Sequence, residues 1–224
     1  MRASVANIIS DDVLPLRMRS FRQRLGRGLL ATAFCLSSAG SASVRLPIRV
    51  YNQDYLSAGA AVLLIDMQES FVNHMGLSEY NDVVGSQREV LTYCASHGIP
   101  VAVIEFLGSG PTAPPLMKTL RDVGRKGTIV RYDKDAFTNP DLEHLLERWT
   151  IDRVFLMGTT PVCVGATAAD AFVRGYAVAT APDVLARADL NASIDLPRED
   201  LMGPYLVWQA RHGTVYPDHR SVLR

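Results

Sequence analysis

From residue 58 onward, the hydrophobic residues alternate between two patterns. Short, largely apolar runs predict strands buried on both faces of a sheet, and longer segments with helical periodicity predict amphipathic helices. The predicted strands are residues 60–65, 100–106, 128–131, 153–157 and 176–180. The predicted helices are about residues 84–97, 141–149, 163–174 and 198–212. Regular strand–helix alternation predicts an α/β fold, a single-domain, mostly parallel, doubly wound sheet flanked by helices in a Rossmann-like three-layer arrangement.

Turn residues support these boundaries. Gly98 and Gly175 follow two of the predicted helices, where glycine commonly ends a helix. Pro140 lies at the predicted start of another helix, where its missing N–H is tolerated. Residues 108–115 combine glycine and proline and are predicted to form a surface loop.

The first 57 residues differ from the rest. Residues 1–42 contain a basic stretch, a short apolar stretch and small residues, a pattern typical of a secretory signal cleaved after Ala42 or Ala39. The apolar stretch is too short for a membrane-spanning helix. We therefore expect a leader at 1–42, a linker at 43–57, a domain at 58–224, a periplasmic or secreted product and no membrane association after leader removal. A cytoplasmic location is the alternative if the start is mis-assigned, for example if translation begins at Met18.

Composition narrows the function classes. The chain has 224 residues with 48% hydrophobic and 21% charged content, enough for one α/β core. Residues 58–224 contain fifteen Lys and Arg against twenty Asp and Glu. This mildly acidic domain lacks a basic stripe with interleaved aromatics, which argues against nucleic-acid binding.

An aspartate and a cysteine stand beside two predicted strand ends. Asp66 directly follows strand 60–65, and ligands of open α/β sheets bind beyond the carboxyl ends of the strands. Cys163 opens an alanine-rich helix, where the helix dipole favours the thiolate and the unpaired N–H groups can hold an oxyanion. The alternatives are a turn-capping aspartate and an inert core cysteine. Cys94 and Cys163 are both interpreted as free thiols.

Four segments in order resemble the isochorismatase-like cysteine hydrolases, which include nicotinamidases and N-carbamoylsarcosine amidases. The segments are residues 64–71, 131–142, 157–164 and 168–178, followed by Asp183. The resemblance covers about residues 58–185 and implies an isochorismatase-like fold, a small-molecule substrate and a homo-oligomer. It also implies that Cys163 is the nucleophile, Asp66 the base, and the backbone N–H groups of Val162 and Cys163 the oxyanion hole.

The chain departs from the family pattern in two places. The resemblance implies a catalytic lysine, but Arg131 occupies that position by register, and Lys134 offers the right chemistry three residues later. Both stay candidates, although arginine is a poor copy of lysine. The turn from Gly158 to Cys163 is also one residue shorter than usual.

The remaining candidates concern the pocket. Gln68, Phe71 and Phe137, within the matching segments, are candidate substrate-binding residues. The metal-binding histidines of nicotinamidase-type members are missing after the second strand, so no metal and no other cofactor is expected. Glu105 ends that strand and is a candidate pocket residue or a plain solvent-facing carboxylate.

Two functions stay open. The first is a cysteine-dependent hydrolase that acts on a small amide, ureido or related carbonyl compound through a thioester. The second is a catalytically impaired binding or structural protein of the same fold, because of Arg131 and the short turn. A flavodoxin-like cofactor binder is a weaker third option, since phosphate-cradling glycine loops are missing.

Overall fold

The computed structural model describes residues 55–159, 161–186 and 198–224. The expected leader at 1–42 and the expected linker up to residue 54 therefore lie outside the described residues. Within the described ranges, no helix is both long and apolar enough to cross a membrane.

Seven strands in the described part of the chain form one sheet, in the order β3-β2-β1-β4-β5-β7, and the short β6 pairs with the end of β4. All these pairings are parallel. The strands are β1 (Ala60–Ile65), β2 (Val101–Phe106), β3 (Lys126–Arg131), β4 (Arg153–Thr159), β5 (Ala177–Thr180), β6 (Leu185–Ala186) and β7 (Thr214–Val215). Since the strands run in one direction, their carboxyl ends meet at one edge of the sheet.

Helices connect the strands and cover both faces of the sheet. They are α1 (Glu69–Val72), α2 (Leu77–His97), α3 (Pro114–Leu120), α4 (Pro140–Arg148), α5 (Pro161–Val173) and α6 (Arg198–His212). Short 3₁₀ turns lie at Ala136–Thr138, Pro182–Val184 and His219–Ser221. Gly98 ends α2 in the left-handed conformation with φ 67°, as its position after the helix predicted.

The sheet divides the core into two layers. Alternate residues of β1, all of them buried, face opposite sides: Ala60, Val62 and Leu64 pack with α2 and α3, and Ala61, Leu63 and Ile65 pack with α4, α5 and α6. A strand covered on both faces must be apolar throughout, which explains the unbroken apolar run in the sequence. The predicted mostly parallel α/β sheet flanked by helices is confirmed.

Two helix boundaries differ from the sequence prediction. Helix α2 begins at Leu77 rather than near residue 84, because its first two turns are mostly exposed and carry little apolar periodicity. The predicted loop at 108–115 ends in a helix, because Pro114 and Pro115 occupy the first turn of α3, where proline is tolerated.

The C-terminal turn is fastened to α2 through a buried histidine. His219 Nδ1 lies 2.5 Å from Asp183 Oδ2, and its Nε2 lies 2.9 Å from Glu89 Oε2. Arg220 also pairs with Glu89, at 3.1 Å. Burial alone would lower the pKa of His219, but the two carboxylates outweigh it and raise the pKa above its ordinary value.

Candidate active site

Asp66 leaves the end of β1 in an unusual backbone conformation. Its φ is 54°, in the left-handed region that a non-glycine residue rarely adopts and that costs about 1–3 kcal/mol. Two hydrogen bonds hold it there: its N–H donates to the Ile104 carbonyl at 2.9 Å, and its carbonyl accepts from Thr159 Oγ1 at 3.3 Å. Strain of this kind concentrates at functional sites.

Gly158 permits the ends of β1 and β4 to approach each other. A Cβ atom at this position would lie 2.0 Å from the Ile65 carbonyl oxygen, and its φ of 148° also favours glycine. Because only a glycine fits, the chain can bring the residue after β1 next to the turn that leads into α5.

Arg131 reaches Asp66 from the last residue of β3. Strand β2 lies between β3 and β1, so the side chain must cross two strand spacings, about 10 Å. It passes over Phe106, the last residue of β2 and its register partner, with the guanidinium carbon 5.3 Å from the ring centroid. Its Nη2 then donates to Asp66 Oδ2 at 2.6 Å, and both side chains are buried.

Cys163 completes the group from the first turn of α5. It is partly exposed, and its thiol interacts with both Asp66 and Arg131. Burial in the first place, and then the charge of Asp66 and a hydrogen bond with it, raise the pKa of Cys163 to about 11, although Arg131 opposes the shift. Burial and the neighbouring carboxylate therefore act against the favoured thiolate that the sequence-based expectation drew from the helix N-terminus.

The two oxygens of Asp66 have different surroundings. Oδ2 accepts a hydrogen bond from Arg131. Oδ1 is buried and has no hydrogen bond of normal geometry with any of the described residues. Burial raises the pKa of Asp66, and the charge of Arg131 and a hydrogen bond with the Cys163 thiol oppose this shift. A carboxylate with a raised pKa is a better base, and Oδ1 is the oxygen with capacity to take a proton from the thiol.

The N-terminus of α5 also offers donors. Val162 and Cys163 lie in its first turn, where backbone N–H groups have no partner within the helix. The Val162 side chain is 53% exposed, so this end of the helix faces solvent. The two N–H groups can therefore donate to the oxyanion that forms on a carbonyl oxygen when the Cys163 sulfur attacks the adjoining carbon.

Two other predicted site residues do not join this group: Lys134 is exposed to solvent, and the side chain of Gln68 is hydrogen bonded to backbone elsewhere. Lys134 is exposed, and among the described residues Asp66 pairs with Arg131 rather than with Lys134. The buried Gln68 amide makes three hydrogen bonds with the backbone of Phe106 and Gly110, at 2.5–3.0 Å. Gln68 thus fastens the loop after β2.

The two predicted aromatic residues differ in position. Phe71 is buried and contacts Phe106 edge to face, with the ring centroids 6.4 Å apart, so it supports the ring beneath Arg131. Phe137 is also buried, but it stacks on Tyr176 and lies under Arg174. The contacts of the Phe137 ring are therefore with Tyr176 and Arg174, which follow α5. Phe106 was not singled out from the sequence, since a last residue of an apolar strand looks like core.

Other polar residues have structural partners. Glu105 accepts two hydrogen bonds from Thr112, at 2.7 and 3.0 Å, and so braces the same loop as Gln68. Cys94 is free and buried in the core. Among the described residues, no group of three or more His, Cys, Asp or Glu side chains is arranged to hold a metal ion.

Comparison with known proteins gives a consistent result. A family model described as the isochorismatase domain matches residues 60–193, which is more than half of the chain and includes Asp66, Arg131 and Cys163. No match to a curated protein was found.

Solved structures share the fold. An isochorismatase from Pseudomonas putida has a TM-score of 0.64 at 18% identity, over 77% of this chain and 93% of that one. N-carbamoylsarcosine amidase from Thermoplasma acidophilum has a TM-score of 0.53 at 22% identity, over 70% and 94%. An octameric hydrolase of unknown specificity from Escherichia coli has a TM-score of 0.61 at 19% identity, over 78% and 82%.

Proposed function

The chain belongs to the isochorismatase family, and on that premise we propose that it is a cysteine-dependent hydrolase of a small amide, ureido or related carbonyl compound. One observation carries the proposal: a thiol, a buried carboxylate and a guanidinium from three separate elements interact at the carboxyl edge of the parallel sheet. Such an edge is where ligands of open α/β sheets bind.

In the proposed first step, the Cys163 sulfur attacks the substrate carbonyl carbon while its proton passes to Asp66. Because the pKa of Cys163 is raised to about 11, little thiolate exists at neutral pH, and attack must accompany proton transfer. The carbonyl oxygen becomes an oxyanion, which the N–H groups of Val162 and Cys163 stabilise.

In the second step, the tetrahedral adduct collapses to a thioester. The carbon–nitrogen bond breaks, and the leaving amine takes the proton that Asp66 holds. Water then attacks the thioester with Asp66 again as the base, which releases the acid and restores the thiol. The cycle consumes one water and needs no cofactor.

Arg131 has a positioning role in this scheme. It donates to Asp66 Oδ2 and so leaves Oδ1 as the oxygen that can accept the thiol proton, while the guanidinium itself acts as a hydrogen-bond donor and takes no part in proton transfer. It thereby takes the position that the family resemblance assigns to lysine. The amide or ureido class is supported by the fold shared with N-carbamoylsarcosine amidase.

The same ion pair favours a second candidate, a catalytically impaired binding or structural protein. The buried Arg131–Asp66 pair at 2.6 Å stabilises the ionised carboxylate and so weakens it as a base. This candidate predicts that Cys163 forms no acyl intermediate with any small carbonyl compound.

The deciding experiment is a screen of small amides and N-carbamoyl compounds for release of ammonia or amine. We expect hydrolysis that is lost in both Cys163→Ala and Asp66→Asn, and retained in the matched control Cys94→Ala. A thioester of Cys163 should be detectable by mass spectrometry after rapid acid quench. Activity that survives in Cys163→Ala would refute the proposal, and a fully inactive panel without any acyl adduct would favour the impaired protein.

We also propose that the chain is exported and forms a homo-oligomer. Export is supported by the signal-like pattern of residues 1–42, and cleavage would be seen as a mature N-terminus after Ala39 or Ala42. Assembly is supported by the octameric hydrolase of the same fold, and light scattering after size exclusion would measure it. A full-length N-terminus or a monomeric mass would contradict the respective proposal.

A further inference from the structure

Helix α5 carries a stripe of polar residues behind the thiol. Cys163, Thr167 and Asp170 follow one another at intervals of four and three residues, which places them on one face of the helix, and Arg174 lies four residues further, in the turn that follows the helix. The stripe faces the β3–α4 connection, residues 132–139, which directly follows Arg131.

Three contacts join the stripe to Arg131 and the connection. Arg131, just before the connection, interacts with Cys163. The Ala136 N–H donates to Thr167 Oγ1 at 3.1 Å, one turn further along α5, and both residues are fully buried. The Asp135 carboxyl group hydrogen bonds with Asp170 two turns from the thiol. The connection therefore lies along the helix that carries the nucleophile.

Asp170 is itself held in place. Arg174 Nε donates to Asp170 Oδ2 at 3.0 Å, and Arg174 Nη1 donates to Glu143 Oε2 on α4 at 2.5 Å. The Arg174 guanidinium also lies over Phe137 of the connection, 5.0 Å from the ring centroid. Asp170 is thus a fixed partner for Asp135 rather than a mobile surface carboxylate.

Arg131 needs such support because of its position. Strand β3 is the last strand on its side of the described sheet, so β2 is the strand that pairs with it, and the Val130 carbonyl also accepts from Asn139 Nδ2 of the connection at 2.9 Å. The side chain of Arg131 extends across β2, and a small shift of the strand end would move the guanidinium away from Asp66. The contact between Ala136 and Thr167 attaches the segment that follows Arg131 to α5.

We propose that Thr167 and Asp170 are positioning residues, which hold the β3–α4 connection against α5 through Ala136 and Asp135 and so keep Arg131 on Asp66 beside Cys163. The catalytic consequence rests on the proposed function. The geometric consequence does not, because the reactivity of Cys163 towards a thiol reagent can be measured without a substrate.

The carboxyl pair gives these contacts a pH dependence. Burial chiefly, together with Asp170, raises the pKa of Asp135 to about 6, while the Phe137 N–H and Arg174 oppose the shift. Lys134 precedes Asp135 on the same connection, and Glu143 faces Arg174 from α4. Below this pKa Asp135 carries a proton that it can donate to Asp170. Above it Asp135 loses the proton and with it this hydrogen bond, so the connection should loosen as the pH rises through about 6.

The test combines two measurements on the full chain between pH 5 and pH 8. Hydrogen–deuterium exchange in residues 132–138 reports on the connection, and the rate of Cys163 modification by methyl methanethiosulfonate reports on the site. Loss of one hydrogen bond, about 1 kcal/mol, should raise the open population about fivefold. Burial is the largest cause of the raised pKa of Cys163, so opening of the connection should speed its modification. The increase with pH should be steeper than the increase in the thiolate fraction alone would give.

Three variants separate the outcomes. Asp170→Ala should raise both rates about fivefold at pH 5. Asp170→Asn keeps a neutral hydrogen-bond donor towards Asp135. Its exchange and modification rates should therefore equal those of the parent at pH 5, and neither rate should show an inflection near pH 6. Thr167→Val, which removes the acceptor of the Ala136 N–H, should also raise both rates and replaces Asp170→Ala in the test if that variant does not fold. Asp82→Asn, an exposed carboxylate on α2, is the matched control and should change neither rate.

Two results would overturn the inference. One is faster exchange in residues 132–138 of Asp170→Ala with unchanged Cys163 modification, which would make the contacts merely structural. The other is an identical pH profile for the parent and Asp170→Asn. Neither result depends on hydrolysis, so failure of the proposed function, seen in the substrate screen, stays distinguishable.

Discussion

The buried ion pair between Arg131 and Asp66 predicts the effect of replacing Arg131 by methionine. The change removes the guanidinium but leaves an apolar side chain to pack on Phe106. The side chains of the pair are 0% and 1% exposed, and Nη2 lies 2.6 Å from Oδ2. Removal of one member of such a pair strands the other charge and costs about 3–5 kcal/mol. Since the total free energy of unfolding is about 5–15 kcal/mol, Arg131→Met should fold but be much less stable.

A double variant identifies the cause of this loss. Arg131→Met with Asp66→Asn leaves no buried charge, so it should be at least about 2 kcal/mol more stable than Arg131→Met alone. Asp66→Asn alone strands the guanidinium instead and should also be destabilised. A non-additive cycle of this kind is the signature of two residues that interact directly.

Urea unfolding followed by circular dichroism at pH 8 and pH 5 measures these differences. Without Arg131, the pKa of Asp66 rises further, because only the hydrogen bond with the Cys163 thiol then opposes the effect of burial. A group with a raised pKa in the folded state loses stability as the pH rises, so the deficit of Arg131→Met should be larger at pH 8 than at pH 5. A double variant no more stable than Arg131→Met, with the same deficit at both pH values, would refute the argument.

Three further predictions can be tested in parallel. Gly158→Ala should cost at least about 3 kcal/mol in unfolding free energy, because its Cβ would overlap a backbone carbonyl, whereas Gly76→Ala, with open space around the Cβ, should be nearly neutral. His219 has a raised pKa, so the stability that it contributes is present below about pH 6.5 and is lost as the pH rises through its folded-state value. The melting temperature of His219→Gln should therefore vary less between pH 6 and pH 9 than that of the parent. The control His74→Gln, at an exposed position, should keep the pH dependence of the parent. The alkylation rate of Cys163 should rise with pH towards about 11, and a plateau near pH 8 would contradict the burial of its thiol.

The sequence predicted the elements of the sheet well because burial on both faces leaves a strong local pattern. β1 was predicted with the boundaries that it has in the structure, and the other long strands within about two residues. The proximity of Asp66 and Cys163 also followed from local information, because carboxyl ends of parallel strands share one edge. Helix α3 was missed because seven residues with two prolines resemble a loop.

The details of the site depend on contacts between distant residues. The choice between Arg131 and Lys134 requires the register of β3 on β2, which places Arg131 beside Phe106 and leaves Lys134 exposed. The role of Gln68 as a loop fastener depends on a segment forty residues later in the chain. The pKa of Cys163 is raised by burial and by Asp66, ninety-seven residues away in the chain, and a motif around Cys163 contains neither influence.

The parallel pairing of β1 with β4 has a consequence for the way the protein folds. Ala60 pairs with Arg153, so the two central strands are separated by most of the domain. The entropy cost of closing a loop of this length is about 4 kcal/mol, and sheets dominated by such non-local pairs fold slowly. During synthesis, β1 emerges long before β4 and presents an entirely apolar strand with one unpaired edge. The nascent chain should therefore depend on chaperones until residue 159 has left the ribosome, and fragments that stop before β4 should aggregate.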